Sequence, residues 1–283
     1  MKYDLHTHTI LSDGELSVDG NVKRAIELGL DGLAISDHDN IDSWQIIDNN
    51  TYDIPVIKAV ELSTYYNKEN VHILGYYLNN GKSYQNLENF LNDMRKKRED
   101  RVYKMIELLK KQGIEITYDE IKRHADGAIG RPHVAEAIIE KYPEKNYSIQ
   151  DVFDLYIGDG KPSYVQVSNF QTTDAIKLLH ENNCLVVLAH PLLIKKFDYK
   201  EILDLPIDGV ECYYPYEEGQ DYSEVIKEAK KRNLIITGGS DFHGPNVRNT
   251  MGLSYLESPE LEEFLNRIKR YKDDENKKTL KRF

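Results

Sequence analysis

The chain has 283 residues, and its 37 Lys and Arg stand against 48 Asp and Glu, a formal net charge of −11. A hydrophobic content of 40% with 30% charged residues is globular and excludes general disorder. The acidic balance excludes coating nucleic acid by bulk charge, and the longest apolar run, Cys184–Ala189, is far short of the ~20 residues of a membrane span.

In chain order, Lys2–Leu5 reads as a strand, Val18–Leu28 as a helix, and Gly32–Ser36, Pro55–Val60 and Val71–Tyr77 as further strands. After a long middle stretch come a helix at Thr173–Asn182, strands at Cys184–Ala189, Gly209–Tyr213 and Leu234–Gly238, and a helix at Ser223–Lys231. Strand–helix alternation predicts an α/β fold with a parallel sheet, and about seven strands favour a barrel with active residues at the carboxyl ends of its strands. The middle carries helical periodicity at Leu87–Gln112, Tyr118–His124, Pro132–Lys141 and Ile149–Tyr156. The expectation is a barrel over residues 1–82 and 166–283 with a helical insertion at 83–165. The charged tail Tyr271–Phe283 is expected to fray. Two lone cysteines and no basic-then-apolar leader before Asp4 predict a reducing cytoplasm.

Nearly every strand ends on a metal-type ligand. The first runs into His6-Thr7-His8, and residues two apart on a strand point the same way, so both imidazoles can meet one ion. Asp13 follows in a loop, Ser36-Asp37-His38-Asp39 closes the second strand, Glu61 closes the third, and His72 sits in the fourth. His190 ends the strand after the insertion, and Asp241-Phe242-His243 follows the last one. Each has a bland reading on its own: His72 a hydrogen-bonded core residue, Asp13 a turn residue, Asp37 or Asp39 a helix cap. Six of the nine histidines and three carboxylates at one end of successive strands are too many for coincidence. His124 and His180 read as helix-surface residues.

Nine nitrogen and oxygen ligands without a thiolate suit two or three divalent ions, Mn²⁺ first and Zn²⁺ or Fe²⁺ next, at a catalytic site. A hydroxide held between such ions would supply a nucleophile toward phosphorus. His6, His8, Glu61, Asp241 and His190 are the expected catalytic centre, with the general acid open among Asp37, Asp39 and a bound water.

Together these motifs resemble the PHP family (polymerase and histidinol phosphatase domain). The resemblance implies a distorted seven-stranded β/α barrel and a trinuclear site. It implies one ion on His6, His8, Glu61 and Asp241, a second sharing Glu61 with His72 and His190, and a third on Asp13, His38 and His243. Glu61-Leu-Ser-Thr, Val71-His-Ile-Leu-Gly-Tyr, Gly130-Arg131-Pro-His133 and Gly160-Lys161-Pro162 are similar to a subgroup with a helical insertion. Its members include 3′,5′-nucleoside bisphosphate phosphatases and a 5′→3′ exoribonuclease of short RNA.

Arg131 and His133 flank a proline at a helix start, and Lys161 lies in a Gly-rich turn. Taken with the resemblance, these three are expected to hold substrate phosphate. The segment Arg95–Lys111, with eight basic and three acidic residues, is read mainly as a solvated face, and Tyr213 and Tyr214 as candidate pocket residues. The expected substrate is a small phosphorylated molecule, a nucleotide or short RNA end, with no membrane and no obligate protein partner. The rival readings are a phosphatase of small metabolites such as histidinol phosphate, an amidohydrolase, and a non-catalytic scaffold.

Overall fold

A computed structural model describes residues 1–78, 83–125, 129–165, 170–216, 221–246 and 249–268. The tail at Tyr271–Phe283 and the expected domain-boundary residues 82 and 166 lie outside these. The chain divides into two compact units, Met1–Glu88 with Asn169–Phe283, and Asn89–Ser168.

The first unit is built on an eight-stranded sheet, β1 (Lys2–Thr7), β2 (Gly32–Ile35), β3 (Val56–Tyr66), β4 (Glu69–Tyr77), β5 (Cys184–Leu188), β6 (Gly209–Tyr213), β7 (Ile235–Gly238) and β8 (Leu256–Glu257). Their spatial order is β7-β6-β5-β4-β3-β2-β1-β8. The sheet bends round until the segment after β7 meets β1: His8 N donates to Phe242 O at 2.8 Å and Phe242 N to His6 O at 3.3 Å. The result is a nearly closed α/β barrel.

Two expectations need correcting. The sheet is not wholly parallel, because β4 runs antiparallel to both β3 and β5, and β8, unread in the sequence, lies antiparallel on β1. The third strand does not end at Glu61 but continues to Tyr66 and turns through Asn67 and Lys68, at φ 43° and 65°. Two successive left-handed residues are what a tight hairpin requires, and apolar periodicity cannot report strand direction. On β3 and β4, Glu61 faces Leu74 and Ser63 faces His72, so Glu61 and His72 are diagonal neighbours on one face.

Helices α1 (Val18–Glu27) and α2 (Asp42–Asn49) belong to this unit. Ser17 caps α1 by accepting from Gly20 N, and buried Val18, Val22 and Ala25 pack with Leu30, Leu33 and Ile35. Helix α2 buries Trp44, whose indole N–H donates to Ala59 O at 2.7 Å. α3 (Gln85–Lys111) spans the boundary between the units.

In the second unit, α4 (Tyr118–Lys122), α5 (Arg131–Lys141) and α6 (Ile149–Val152) surround buried Ile121, Val134, Ile138 and Val152. Beyond α6 the backbone widens at Phe153–Ile157 into a wider-than-α turn where a continuous helix to Tyr156 was expected. The first unit also carries α7 (Thr172–Glu181), α8 (Lys200–Leu203) and α9 (Ser223–Lys231), and residues 260–268 are helical too.

Candidate metal centre

The barrel interior is polar from β1 outward. Asp4 and His6 lie on one side of β1 and Tyr3 and Leu5 on the other, all buried. Asp4 accepts from Ser240 N at 2.9 Å, Ser240 Oγ at 2.6 Å and Gly252 N at 2.9 Å. Burial raises its carboxyl to about 6, against those hydrogen bonds. It ties the start of β1 to the segment that carries Asp241.

Above it the expected ligands converge. Nε2 of His6 lies 3.2 Å from Glu61 Oε2 and 3.3 Å from Asp241 Oδ1, and Nε2 of His8 lies 3.3 and 3.1 Å from the same oxygens. His38 Nδ1 is 3.2 Å from Glu61 Oε2, while His72 Nδ1 and His190 Nε2 approach Glu61 Oε1 at 2.9 and 3.1 Å. Asp13 Oδ2 is 3.4 Å from His243 Nε2 and 3.8 Å from His38 Nε2. Three ligand sets result: His6, His8, Glu61 and Asp241; His38, Glu61 and His72; and His8, Asp13, His38 and His243.

These atoms fit a cation rather than one another. His6 Nε2, His8 Nε2, His38 Nδ1, Glu61 Oε2 and Asp241 Oδ1 are all buried and make no hydrogen bond. Buried polar atoms are expensive to leave unmatched. Two donors each about 2.1 Å from one tetrahedral ion are about 3.4 Å apart, close to the spacings found here. Three of the residues that position ligands or their neighbours hold left-handed backbone, Asp39 at φ 47°, His190 at φ 26° and Asp241 at φ 54°. Such conformations persist only where the surroundings impose them, and they concentrate at functional sites.

The charges of the cluster act strongly on each other. Burial alone would raise the Glu61 carboxyl, but His38, His6 and His72 hold it well below the usual range. Burial lowers the His8 imidazole, yet the Asp241 and Glu61 carboxylates leave it raised to about 10. His38, for which burial dominates, is lowered to about 4.

Asp37 does not join the cluster. It accepts from Thr9 N at 2.7 Å, Thr9 Oγ1 at 2.9 Å and Ser12 Oγ at 3.0 Å, anchoring the loop that presents Asp13. Asp39 accepts from Ser63 N at 3.0 Å. Tyr214 joins the site, its hydroxyl donating to Asp241 Oδ2 at 3.0 Å and its ring 5.3 Å from that of His190. Tyr213 instead meets Tyr222. Glu211, overlooked in the sequence, is fully buried beside His6, with Oε1 3.0 Å from Nδ1. Its signal was a carboxylate flanked by Val210 and Cys212 in the one strand without a recognised ligand.

Within the second unit, Arg131 pairs with Asp159 at 2.9 Å, its guanidinium 5.4 Å from the Phe153 ring and 5.5 Å from that of Tyr164. His133 Nδ1 accepts the Gly130 amide at 3.0 Å, closing the start of α5. Lys161 sits in the turn closed by its own amide on Gly158 O at 3.0 Å. Arg101, unremarked in the sequence, donates Nε to Val165 O at 2.7 Å while its buried Nη2 has no hydrogen-bond partner. Outside the cluster, His180 pairs with Asp208 at 2.9 Å and His124 with Glu140 at 2.8 Å.

A model of the PHP domain matches residues 4–237. A 5′-3′ exoribonuclease of Haemophilus influenzae is 32% identical over 253 residues, covering 86% of this chain and 90% of the relative. A 3′,5′-nucleoside bisphosphate phosphatase of Chromobacterium violaceum is 28% identical, covering 86% and 87%. A Bifidobacterium adolescentis crystal structure assigned as a metal-dependent phosphoesterase superposes with TM-score 0.74 at 25% identity, covering 94% of this chain and 96% of that one.

Proposed function

This chain belongs to the PHP domain family and is a metal-dependent phosphoesterase, and on that footing we propose that it hydrolyses the O3′–P bond of a nucleotide that carries a 5′-phosphate. The substrates are nucleoside 3′,5′-bisphosphates or short 5′-phosphorylated RNA ends, a reading supported by relatives named as a 3′,5′-nucleoside bisphosphate phosphatase and a 5′-3′ exoribonuclease. In both, water adds to phosphorus and the 3′-hydroxyl leaves, so one site serves either. The observation that carries the reading is the set of eight possible ligands gathered in three groups at one end of the barrel, with His190 beside them on Glu61 and with the buried facing atoms of His6, His8, His38, Glu61 and Asp241 unmatched by any hydrogen bond.

We assign His6, His8, Asp13, His38, Glu61, His72, His190, Asp241 and His243 to two or three divalent ions, with Mn²⁺ the first choice and Zn²⁺ or Fe²⁺ next. Such ions supply Lewis-acid charge and an activated water. The protein's own part is to hold the ligands. Glu61 presents both oxygens to the cluster, and Tyr214 fixes one Asp241 oxygen so that the other faces His6 and His8. In the helical unit Arg131, His133 and Lys161 are our anion-holding residues, and this unit is proposed to clamp substrate. Charge-assisted bonds from such residues strengthen as charge grows on phosphoryl oxygens.

The test is a phosphate-release screen with Mn²⁺, Zn²⁺ and Fe²⁺ across nucleoside 3′,5′-bisphosphates, 5′-phosphorylated oligoribonucleotides and metabolite monoesters including histidinol phosphate. Metal-stimulated formation of nucleoside 5′-phosphates is expected. Turnover of a metabolite ester with none of the nucleotides would replace the substrate assignment.

A further inference from the structure

Glu211 belongs to none of the three ligand sets, yet it touches at once His6, a member of one of them, and His190, which bonds their shared Glu61. It lies on β6, paired with Thr237 of β7, and is fully buried. Its Oε1 is 3.0 Å from His6 Nδ1, and its Oε2 accepts the backbone N–H of His190 at 2.9 Å. A carboxylate only accepts, so the hydrogen of that first contact sits on His6 Nδ1. In the neutral ring, the form that can bind a cation, the lone pair is then on Nε2, the atom that faces Glu61 and Asp241. The second contact holds His190 at φ 26°, a backbone that its own preferences would not maintain.

We propose that Glu211 is a positioning residue that fixes the tautomer of His6 and the backbone of His190 together, and so raises the affinity of the centre for divalent cations. The inference rests on the metal reading above. Its logic is specific to a carboxylate. Both partners are N–H donors, and glutamine offers one acceptor and one donor at the same place. In Glu211→Gln either the His190 amide loses its acceptor, or the amide NH₂ turns to His6 and demands the tautomer with hydrogen on Nε2, which blocks the metal-facing atom. Partners of this kind on metal-binding histidines govern affinity by roughly 10–100-fold.

The experiment compares wild-type full-length protein with Glu211→Gln after chelation and reloading with Mn²⁺ or Zn²⁺. It reads metal per chain by elemental analysis, dissociation constants by titration, and folding by circular dichroism. The tightest dissociation constant should rise roughly 10–100-fold in a folded variant. Equal affinity in the two proteins would overturn the inference while leaving the metal reading intact. A wild type that takes up no metal would overturn both. Should the variant fail to fold, long-range ¹H–¹⁵N spectra of the zinc-loaded wild type decide. They should show His6 bound through Nε2 with a slowly exchanging hydrogen on Nδ1. Coordination through Nδ1, or a freely exchanging Nδ1 hydrogen, would sink the idea.

Discussion

Gly239 lies so close to His6 that a Cβ built on it would sit 2.4 Å from the His6 Cβ and 2.4 Å from the His6 backbone nitrogen. The contact is where the end of β7 closes on β1, one residue before Ser240 bonds Asp4 and two before Asp241. No side-chain rotation relieves a clash with backbone. Gly239→Ala should therefore push β7 from β1 and cost about 1–3 kcal/mol, as overpacking usually does. Because the strand end carries Asp241, metal content should fall with stability. Thermal unfolding and elemental analysis check both, and a wild-type melting point would show that the closure is not tight.

Glu61 is the residue on which five of the expected ligands converge. Its two oxygens lie within 3.3 Å of His6, His8, His38, His72 and His190. Glu61→Gln keeps the shape and replaces one oxygen by a donor pointed at imidazole nitrogens. Since altering a residue that merely orients a ligand costs 10–100-fold, this change should lower kcat/KM by more than about 100-fold. Steady-state phosphate release reports it, with circular dichroism to show that the fold survives. Activity within a few-fold of wild type would remove Glu61 from the centre.

How much of this was legible before the structure depends on period. His6 and His8 declare themselves because a strand repeats every two residues, and Asp241 and His243 share that spacing. The barrel was legible from strand–helix alternation. Glu61 was found but misplaced at a strand end, since Ser63-Thr64-Tyr65 reads as an exit from the core. In the structure Thr64 stays buried, donating to Val71 O at 2.6 Å. The reversal of β4 was hidden because its turn, Asn67-Lys68, lacks the glycine that marks most such hairpins. Helix α2 was given no bounds, and Asp37 and Asp39 were weighed as its caps, whereas Ile41 precedes it without a side-chain cap. Glu211 carried a local signal, a carboxylate between Val210 and Cys212, but its partners come from β1 and the segment after β5, and no local pattern records a contact 205 residues away.

Metal removal should destabilise the protein measurably. The buried lone-pair atoms of His6, His8, His38, Glu61 and Asp241 exist in this arrangement only in the folded chain. A cation that binds the native state alone stabilises it by about 2.7 kcal/mol per site at one hundred times its dissociation constant. Excess chelator should lower the melting temperature, and Mn²⁺ or Zn²⁺ should restore it in proportion to the logarithm of concentration. Melting curves that superpose with and without chelator would contradict a folded-state metal centre.

Arg131 is held in a way that allows it to change partners. Its ion pair with Asp159 is exposed on the aspartate side, which retains 80% of its side-chain surface, and exposed pairs contribute only about 0–1 kcal/mol. Phe153 and Tyr164 flank the guanidinium independently of that pair. A phosphate dianion offers more charge than Asp159 and accepts two parallel hydrogen bonds from one guanidinium. Arg101 lies near enough that, after burial, the charge of Arg131 lowers its pKa, with Tyr164 and Asp159 acting the other way. Losing a hydrogen bond to a charged group costs about 1.5–3 kcal/mol, which is a factor of roughly 10–150 in binding. Arg131→Ala should accordingly raise KM for nucleoside 3′,5′-bisphosphates by at least about 10-fold and change kcat less. Asp159→Asn, which removes the competing carboxylate and leaves the arginine in place, should lower KM or leave it unchanged. Steady-state kinetics on the pair separates the outcomes: an unchanged KM in Arg131→Ala would take this arginine out of substrate binding, and a raised KM in Asp159→Asn would mean that the aspartate orients the guanidinium instead of competing for it.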